Sequence, residues 1–418
     1  QWSSSAASDV YKRQVPNVAI IGAGPAGLMA AEVLLEKGIA VNIFEAKPTI
    51  GRKLLMAGKS GLNITHRENF KLFLGRFSAE LDTLENSIKS FTPTMVQQWT
   101  SNLGIETFEG SSKRVFPREM KASPLLRKWH ARLSRQSLKT HVNYKWLGWK
   151  DNETLLFSCP TGTYEHTSTA TILALGGMSW PRLGSDGNWL NLFKKNGIAV
   201  REFFPTNCGF HLDWSNVFRD RFVGTPIKSC GVTVGEKAIF GDLVITDYGV
   251  EGTPIYAHSE SLQEQIRANG QGIISLDLHP NIHLERLIKR LSFKAPKISL
   301  SNYLRKNGKL NAVKTSLLRE FLSKEDFRDP KILGRKIKSL VLKTQKSQPI
   351  ERAISSGGGV KFSEVDDFLM LKSSPGIFVA GEMLDWNAPT GGYLINGCLA
   401  LGRQAGLGAI KWTRDHFN

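Results

Sequence analysis

The sequence predicts an α/β fold that carries a separate β-rich domain and a block of basic helices. Three observations support this fold class. Residues 18–46 predict a strand, a glycine-rich turn, a helix and a second strand. Residues 200–275 change to short strands separated by Gly and Asp turns. Residues 284–346 are dense in Lys and Arg and favour helix. Strands that alternate with helices are typical of parallel sheets, whereas closely spaced strands and turns indicate antiparallel pairing.

The first pattern is a β-α-β unit. The apolar run 18–21 predicts a buried strand, residues 28–37 repeat apolar side chains at helical spacing until Gly38, and residues 40–44 predict a second strand that ends at Glu45. The turn between strand and helix therefore lies at the edge of a parallel sheet, where such folds bind nucleotides.

This turn contains Gly22, Gly24 and Gly27 in the G-x-G-x-x-G spacing of dinucleotide-binding proteins. Gly22 permits the tight turn, Gly24 lets the backbone approach a pyrophosphate, and Gly27 lets helix and strand pack closely. The helix N-terminus adds N–H donors and a positive dipole end. Glu45 stands 23 positions after Gly22, near the spacing of about 20 expected for an acid that binds the adenosine ribose.

Two further segments indicate FAD rather than NAD. Residues 376–406 resemble the second FAD motif of glutathione-reductase-type flavoproteins. The resemblance implies that a strand leads to Glu382, whose carboxylate binds the ribityl chain, and that Gly-Gly-Tyr at 391–393 opens a helix toward the N1/O2 edge of the flavin. Residues 171–177, TILALGG, form a companion strand and turn. Three separated segments that converge on one ligand predict a Rossmann-like FAD-binding domain of the glutathione-reductase type.

The segment AGKSG, 57–61, resembles the end of a phosphate-binding P-loop. A P-loop also requires Gly at position 53, which holds Lys53, so an ATPase or GTPase is not predicted. The small residues here instead allow close approach to pyrophosphate and flavin. Arg52, Lys53 or Lys59 would offset phosphate charge, with a solvated surface charge as the alternative for each, and Asn63 would bond the cofactor.

The remaining stretches divide into helical and strand-rich regions. Residues 80–140 look mainly helical, and the chain ends in an apolar helix. Further strands are predicted at 141–149, 154–158, around Tyr164, 171–175 and 376–381.

Composition bounds the possible functions. Hydrophobic residues make up 41% and charged residues 22% of the 418 residues, as in globular proteins, and no run approaches the ~20 apolar residues of a membrane helix. Four scattered Cys without a C-x-x-C pair argue against a disulfide scaffold, a zinc site and a dithiol centre, so we expect a cytoplasmic protein without a metal site. The net charge of +18 attracts nucleotides, RNA or acidic membranes, or only keeps the surface solvated.

Taken in order, these motifs resemble the BaiN-like, or aminoacetone oxidase, family of FAD-dependent flavoproteins over essentially the whole chain after residue 15. The loop GKSGLN stands where relatives more often have a Gly-Arg-Cys-Asn-type loop, which indicates a separate branch, so no substrate is carried over. The matching segments are GAGPAG (22–27), GRK to GLNITH (51–66), RVFP to KAS (114–123), LALGGMSWPRLGSDG (173–187), DYGVEGTPI (247–255), SSGGGV (355–360) and GEMLDWNAPTGGYLINGCLALGRQAG (381–406).

The resemblance implies an FAD domain built from both ends of the chain, with an inserted β-barrel-like domain and a helical subdomain within the insert. The expected divisions are 1–14, a non-native or disordered tail; 15–199, the N-terminal segment of the FAD-binding domain; 200–283, the inserted β-rich domain; 284–346, the basic helical subdomain; and 347–418, the C-terminal segment of the FAD-binding domain, with the return from the insert. The residues predicted to bind FAD are Gly22, Gly24, Pro25, Ala26, Gly27, Glu45, Ala46, Lys53, Asn63, Val142, Ala174, Gly176, Gly381, Glu382, Gly392, Tyr393, Leu394, Ile395 and Asn396.

We therefore expect an FAD-dependent oxidoreductase that acts on a small molecule by hydride transfer at flavin N5, such as a reductase of an unsaturated carbonyl compound. Only one G-x-G-x-x-G is present, so NADH or NADPH would dock at the flavin itself or be replaced by the substrate as electron donor. The alternatives are an FAD-dependent flavoprotein that binds or modifies tRNA or other RNA, suggested by the basic block 305–338, and a non-catalytic FAD-dependent regulator. No catalytic residue is assigned; the candidates are His66, Trp180, Asp247 and Tyr393.

Overall fold

The computed structural model describes residues 16–59, 61–78, 82–151, 154–293 and 298–417. The tail predicted for residues 1–14 lies outside the described residues. The strands are β1 (Asn17–Ile21), β2 (Ala40–Glu45), β3 (Thr65–His66), β4 (Thr107–Glu109), β5 (Arg114–Pro117), β6 (Lys139–Val142), β7 (Lys145–Trp149), β8 (Thr154–Cys159), β9 (Gly162–Thr167), β10 (Ala170–Leu173), β11 (Val200–Thr206), β12 (Phe210–His211), β13 (Pro226–Val234), β14 (Lys237–Ile245), β15 (Gly249–Glu251), β16 (Gly272–Asp277), β17 (Leu340–Thr344), β18 (Ser355–Val360) and β19 (Ile377–Val379).

The α-helices are α1 (Pro25–Leu35), α2 (Arg52–Ala57), α3 (Phe70–Leu74), α4 (Asp82–Ser90), α5 (Pro93–Asn102), α6 (Ala122–Arg135), α7 (Trp189–Lys195), α8 (Asn216–Phe222), α9 (Thr253–Tyr256), α10 (Ser259–Asn269), α11 (Leu284–Leu291), α12 (Leu300–Lys306), α13 (Ala312–Phe321), α14 (Pro330–Lys338) and α15 (Tyr393–Phe417). Short 3₁₀ turns lie at Pro181–Leu183, Ile350–Arg352, Phe362–Glu364 and Gly381–Met383. None of these described helices has both the length and the apolar character that crossing a bilayer demands.

A parallel sheet is the centre of the first half of the molecule. Its described strands run in the order β19-β10-β1-β2-β6, with Val18 of β1 paired to Ala170 on one side and Val41 on the other. The predicted β-α-β unit is confirmed. Helix α1 begins at Pro25, three residues earlier than predicted, because the fixed φ of Pro suits the first helical position.

Helix α15 packs against α1 at glycine positions. A Cβ at Gly402 would lie 2.1 Å from the carbonyl oxygen of Ala26, and one at Gly406 would lie 3.1 Å from that of Ala30. The two ends of the chain are therefore joined in one layer, since α1 belongs to the first β-α-β unit and α15 to the C-terminal segment.

The stretch 141–149, predicted as a strand, is divided between two sheets. β6 joins the parallel sheet through β2, whereas β7 starts the antiparallel three-stranded sheet β7-β8-β9. Asn143 stands between them with φ of 61°. Asn tolerates this left-handed conformation better than most residues, and the chain changes direction there.

The second half of the molecule, which we call the insert, lies between β11 and β18, and these two strands pair antiparallel. The described residues after β11 form an antiparallel sheet in the order β12-β15-β14-β13-β16-β17, and the chain beyond β17 returns to β12 through a bridge between Phe210 and Ser347. Strand β17 was not predicted, because it follows directly on a helical, basic stretch; its residues alternate buried and exposed.

The insert sheet and the basic helices share one hydrophobic core. Buried residues of the strands, such as Val232 and Leu276, belong to the same cluster as Leu287 of α11, Leu317 of α13 and Leu333 of α14. A second cluster covers the parallel sheet and α15. The helical block is thus packed on the sheet rather than separated from it.

Candidate cofactor cleft and adjoining cavities

A cleft opens at the carboxyl ends of β1, β2 and β10, where the predicted glycine turn lies. Parallel sheets bind ligands at this edge. The predicted residues that line it are Gly22, Gly24, Pro25, Ala26, Glu45, Ala46, Lys53, Ala174, Gly176 and Glu382.

The three glycines of the turn meet different neighbours. A Cβ at Gly22, whose φ is 103°, would lie 2.3 Å from the oxygen of Ala174, and one at Gly27 would lie 2.0 Å from the oxygen of Gly22. A Cβ at Gly24 would meet no described protein atom within 4 Å. Gly22 and Gly27 are therefore required by the fold, whereas Gly24 keeps space open in the cleft.

Glu45 closes one end of the cleft. Its carboxylate accepts N–H hydrogen bonds from Ala23 at 3.1 Å and Lys47 at 2.9 Å. Burial raises its pKa, and these two hydrogen bonds oppose the increase. The carboxylate is held at the end of β2, and its remaining lone pairs suit the hydroxyl groups of a ribose.

Lys53 and Glu382 join α2 to the turn that follows β19. The ammonium nitrogen lies 2.6 Å from a carboxylate oxygen, and both side chains are mostly buried. Gly381, before Glu382, has φ of 69°, and a Cβ there would lie 2.8 Å from the Cβ of Ala26. The second motif is thereby brought against the first.

Two polar atoms of the cleft lining are buried without a hydrogen-bond partner among the described residues: Nε of Arg52 and Nε1 of Trp146. Oδ1 of Asn63, which does not belong to this lining, is a further buried atom without a partner in the described chain. A buried polar atom without a partner is costly, so each fits a ligand that completes it. An N–H donor beside a glycine turn suits a phosphate, and an amide oxygen suits an N–H or O–H of the ligand. The residues present therefore fit a dinucleotide.

At the start of α15, residues 388–393 form what we call the flavin loop. Gly391 and Gly392 have φ of 118° and 103°, and a Cβ at Gly392 would lie 2.6 Å from backbone atoms of Thr65. The first-turn N–H groups of a helix, here at Tyr393, Leu394 and Ile395, have no intrahelical acceptor. They are suited to stabilise negative charge on a ligand.

Other predicted residues lie outside the cleft lining. Gly27 is packed behind the turn, Val142 pairs with Glu45 across the sheet, and the Asn396 amide is bound to Thr65 and to the carbonyl of Phe91. The contacts of all these residues with FAD stay predictions. Lining residues that the sequence analysis missed include Phe44, Gly51, Tyr144, Trp146, Gly184, Ser185 and Cys398. Gly51, Gly184, Ser185 and Cys398 had a signal, because they belong to the matching segments 51–66, 173–187 and 381–406.

The P-loop resemblance of AGKSG ends with the geometry. Gly58 and Lys59 follow α2 instead of preceding a helix, and a Cβ at Gly58 would lie 2.6 Å from that of Ala122 in α6. Ser60 lies outside the described residues. The described residues 57–59 therefore form a helix end packed on α6, and they do not precede a helix as the residues of a P-loop do.

Two cavities lie between the parallel-sheet half and the insert. One of about 770 Å³ is lined by Trp180, Tyr248 and Glu251, among others, and one of about 640 Å³ by His66 and Tyr393. Asn207 and Tyr256 line both. Asn207 has φ of 51°, and its amide donates to the carbonyl of Ala388 at 2.8 Å. The cavities therefore adjoin the flavin loop.

The four candidate catalytic residues are placed differently. The rings of His66 and Tyr393 stack with centroids 5.2 Å apart, and the Tyr393 hydroxyl donates to Glu68. Burial lowers the pKa of His66 and, with Glu68, raises that of Tyr393. Trp180 lines the larger cavity with φ of 59°. Asp247 is exposed in the turn before β15 and lines neither cavity.

A Rossmann-type sheet with this glycine turn and a second glycine motif at the opposite end of the chain defines an FAD-binding flavoprotein. The chain belongs to the HI0933-like family, because the model described as the HI0933-like protein Rossmann domain matches residues 16–408. It is accordingly an FAD-dependent oxidoreductase.

Similar proteins include the 3-dehydro-bile acid delta(4,6)-reductase of Clostridium scindens, 23% identical over 94% of this chain and 99% of that protein. The ribosomal RNA dihydrouridine synthase of Haemophilus influenzae is 23% identical over 68% of this chain and 70% of its own. In structure, the 3-ketosteroid-delta4-(5alpha)-dehydrogenase of Rhodococcus jostii RHA1 has a TM-score of 0.50 and 13% identity, covering 96% and 98% of the two chains. This last likeness concerns the fold.

Proposed function

We propose that this protein is an FAD-dependent reductase of a conjugated carbonyl compound, with hydride transferred between flavin N5 and a carbon of the substrate. The observation that carries the proposal is the pair of cavities that meet at Asn207 and Tyr256 beside the flavin loop. A pocket between domains, with aromatic and polar walls, is a usual place for a substrate. The similarity to a reductase of 3-dehydro-bile acids adds support for this substrate class.

For the cofactor, we assign the pyrophosphate to the glycine turn and Arg52, the ribose to Glu45, the ribityl chain to Glu382, and the flavin to the loop before α15. When bound, FAD supplies the hydride acceptor and donor. The protein residues hold it, exclude water and orient the substrate.

The electron donor is tested by anaerobic titration of the FAD-loaded protein with NADH and with NADPH, while the flavin absorbance is followed. We expect fast bleaching by one of them. Absence of bleaching, with dithionite still reducing the flavin, would exclude a nicotinamide-driven reductase and direct the search to oxidisable amines and hydroxy compounds.

The domain divisions also stay proposals. We place the insert between β11 and β18, with a barrel-like sheet; the bridge from Phe210 to Ser347, and the Gln348 N–H that donates to Gly209 at 2.8 Å, support closure. The shared core supports treating the sheet and the helices as one unit.

The RNA-modifying alternative is weaker. It is favoured by the net charge of +18 and by the similarity to a ribosomal RNA dihydrouridine synthase. Two Lys side chains of the basic block, however, bind other residues of this chain. Lys338 pairs with Asp277 at 2.6 Å, and Lys314 donates to the carbonyl of Leu278 at 2.7 Å. Binding of tRNA or ribosomal RNA that falls steeply with salt would favour this alternative, and salt-insensitive or absent binding would discard it.

A further inference from the structure

Three side chains form a hydrogen-bonded cluster on the insert side of the larger cavity. The hydroxyl of Tyr256 donates to one oxygen of Glu251 at 3.1 Å, and the hydroxyl of Tyr248 donates to the other in a shorter contact. No Lys, Arg or His among the described residues forms an ion pair with Glu251. The side-chain hydrogen bonds that this carboxylate accepts within the described chain therefore come from two phenols.

Gly209, in the backbone beside the cluster, has no side chain and so leaves room for Tyr248 and Glu251. A Cβ at Gly209 would lie 2.4 Å from the hydroxyl oxygen of Tyr248 and 2.7 Å from Cγ of Glu251. Gly209 does not need a positive φ, so its lack of a side chain serves this close approach. The cluster is therefore enclosed by the strand start at β12 as well as by β15 and α9.

Tyr256 is the member of the cluster that faces both cavities. It lines the larger cavity with Glu251 and Trp180, and the smaller one with Thr390 and Tyr393 at the flavin loop. Tyr256 thus stands where the two cavities meet, and its hydroxyl is bound to Glu251 of the larger one. The longer of the two hydrogen bonds to Glu251 is also that of Tyr256.

Both phenols of the cluster hold their protons more tightly than free tyrosine does. Burial, followed by the neighbouring Glu251, raises the pKa of Tyr256, and the same causes raise that of Tyr248. A phenolate beside a carboxylate is unfavourable, since two like charges would share one buried site. Loss of the Tyr256 proton would therefore place a phenolate beside the Glu251 carboxylate, and a proton passed through Glu251 would restore the neutral phenol.

We propose that Tyr256 and Glu251 form the proton relay of the reaction, with Tyr256 as the group that protonates the substrate and Glu251 as its proton source. The inference rests on the proposed function. As the β carbon of a conjugated ketone takes a hydride from the reduced flavin, the C=C π bond breaks and the α carbon takes the Tyr256 proton. A solvent acid, hydronium or a buffer acid, gives a proton to Glu251, which passes it to the Tyr256 phenolate, so that both residues return to their starting state and the conjugate base stays in the solvent.

The test uses the FAD-loaded protein, reduced by dithionite without oxygen and then mixed with 2-cyclohexen-1-one or 4-androstene-3,17-dione. Reoxidation of the flavin absorbance gives the rate of transfer to each enone. We expect Tyr256→Phe to slow it by about 100-fold, the size of general-acid contributions, and Glu251→Gln by about 10-fold or more. The rate should fall in D₂O for the unmodified protein, because the Tyr256 proton exchanges with the solvent. The fall should be smaller in Tyr256→Phe, where the measured hydride transfer is no longer coupled to that proton.

Reoxidation of the same reduced variants by molecular oxygen, which requires no protonation of a carbon, should stay within about twofold. Tyr303→Phe, which removes another tyrosyl hydrogen bond in the insert, is the matched control and should leave both rates unchanged. Gly209→Ala keeps both relay residues but displaces them, so it should slow enone reduction selectively.

The outcomes separate the two claims. If neither enone reoxidises the unmodified protein, the proposed function fails and the relay fails with it. If the unmodified protein reacts and Tyr256→Phe and Glu251→Gln react as fast, the relay is overturned while the reductase stands. Loss of FAD, or equal slowing of the oxygen reaction, in these variants would overturn it too, since the cluster would then only support the structure.

Discussion

At the residue scale, the glycines of the G-x-G-x-x-G turn have two different roles: Gly22 and Gly27 serve the packing of the fold, and Gly24 leaves space for the ligand. A Cβ at Gly22 or Gly27 would stand within 2.3 Å of protein backbone, whereas one at Gly24 would face open cleft. Sequence spacing alone identifies all three as a group. Their surroundings divide them into residues that the fold requires and a residue that the ligand requires.

Gly24→Val should therefore fold but fail to bind FAD, because its side chain occupies the space left for the pyrophosphate. Gly27→Val should lower the melting temperature, since it collides with the Gly22 carbonyl. FAD fluorescence quenching and thermal unfolding of the FAD-free proteins measure the two effects. A Gly24→Val protein that binds FAD normally would contradict the assignment of the cleft.

At the element scale, α1 is anchored on its rear face by a buried acid. Glu32 is 4% exposed and accepts hydrogen bonds from the indoles of Trp99 in α5 and Trp129 in α6, and it pairs with Arg132. Burial raises its pKa above the ordinary 4.5, against the opposing effect of Arg132. The cluster ties the nucleotide-binding helix to two others.

Because the pKa of Glu32 is raised in the folded state, the folded protein holds more protons than the unfolded chain between pH 4.5 and that raised pKa. The stability supplied by Glu32 is thus present at low pH and falls as pH rises through this window. Glu32→Gln should flatten this region of the pH dependence, because the substituted side chain no longer takes up a proton there. Urea unfolding across pH measures it, with exposed Glu119→Gln as the control; an unchanged slope in Glu32→Gln would refute it.

The contact between α1 and α15 makes a second prediction at this scale. Gly402→Val should cost about 3 kcal/mol or more, because its side chain would be forced into the Ala26 carbonyl and separate the helices. Arg414→Val, at an exposed position near the end of the same helix, tests the effect of helix propensity and should cost about 0.5 kcal/mol or less. Equal free energies of unfolding for the two variants would show that the close contact does not matter.

At the scale of the whole molecule, a charged network joins the two halves beside the flavin loop. Arg201 of β11 lies 3.6 Å from Asp385 and 3.5 Å from Glu260 of α10, and Asn387 donates to Glu260 at 3.1 Å. The groups are partly exposed, so each contact is worth at most about 1 kcal/mol. Their position is more important than their energy, since these contacts connect α10 of the insert to residues 385–387 before the flavin loop.

Arg201→Ala should increase hydrogen exchange in residues 381–392 and at the start of α10, with little change in the melting temperature. Lys194→Ala removes a nearby ion pair, with Glu202, that does not reach the insert, so it should leave exchange in both segments unchanged. Mass spectrometry of deuterium uptake distinguishes the two. Unaltered uptake in Arg201→Ala would mean that the network does not restrain the halves.

Features that depend on residues close together in the sequence could be predicted, whereas features that depend on contacts between distant segments could not. The β-α-β unit was predictable because its signals, apolar strands and a glycine turn, lie within about thirty residues. The split of residues 141–149 was not, because each half of that stretch has strand character and only the sheet it joins differs. β17 was missed because it follows directly on a helical, basic stretch, and its alternation of buried and exposed residues is explained only by its pairing with β16.

By itself the sequence determined the dinucleotide turn, the FAD motif at the far end of the chain and the family, because these depend on residue types at short, fixed spacing. Only the tertiary structure decided which polar groups meet. Trp99, Trp129 and Arg132 reach Glu32 from 67, 97 and 100 residues away, and Gly209, just before β12, makes room for Tyr248 and Glu251. Such contacts depend on how strands and helices pack across the fold, which no local spacing encodes.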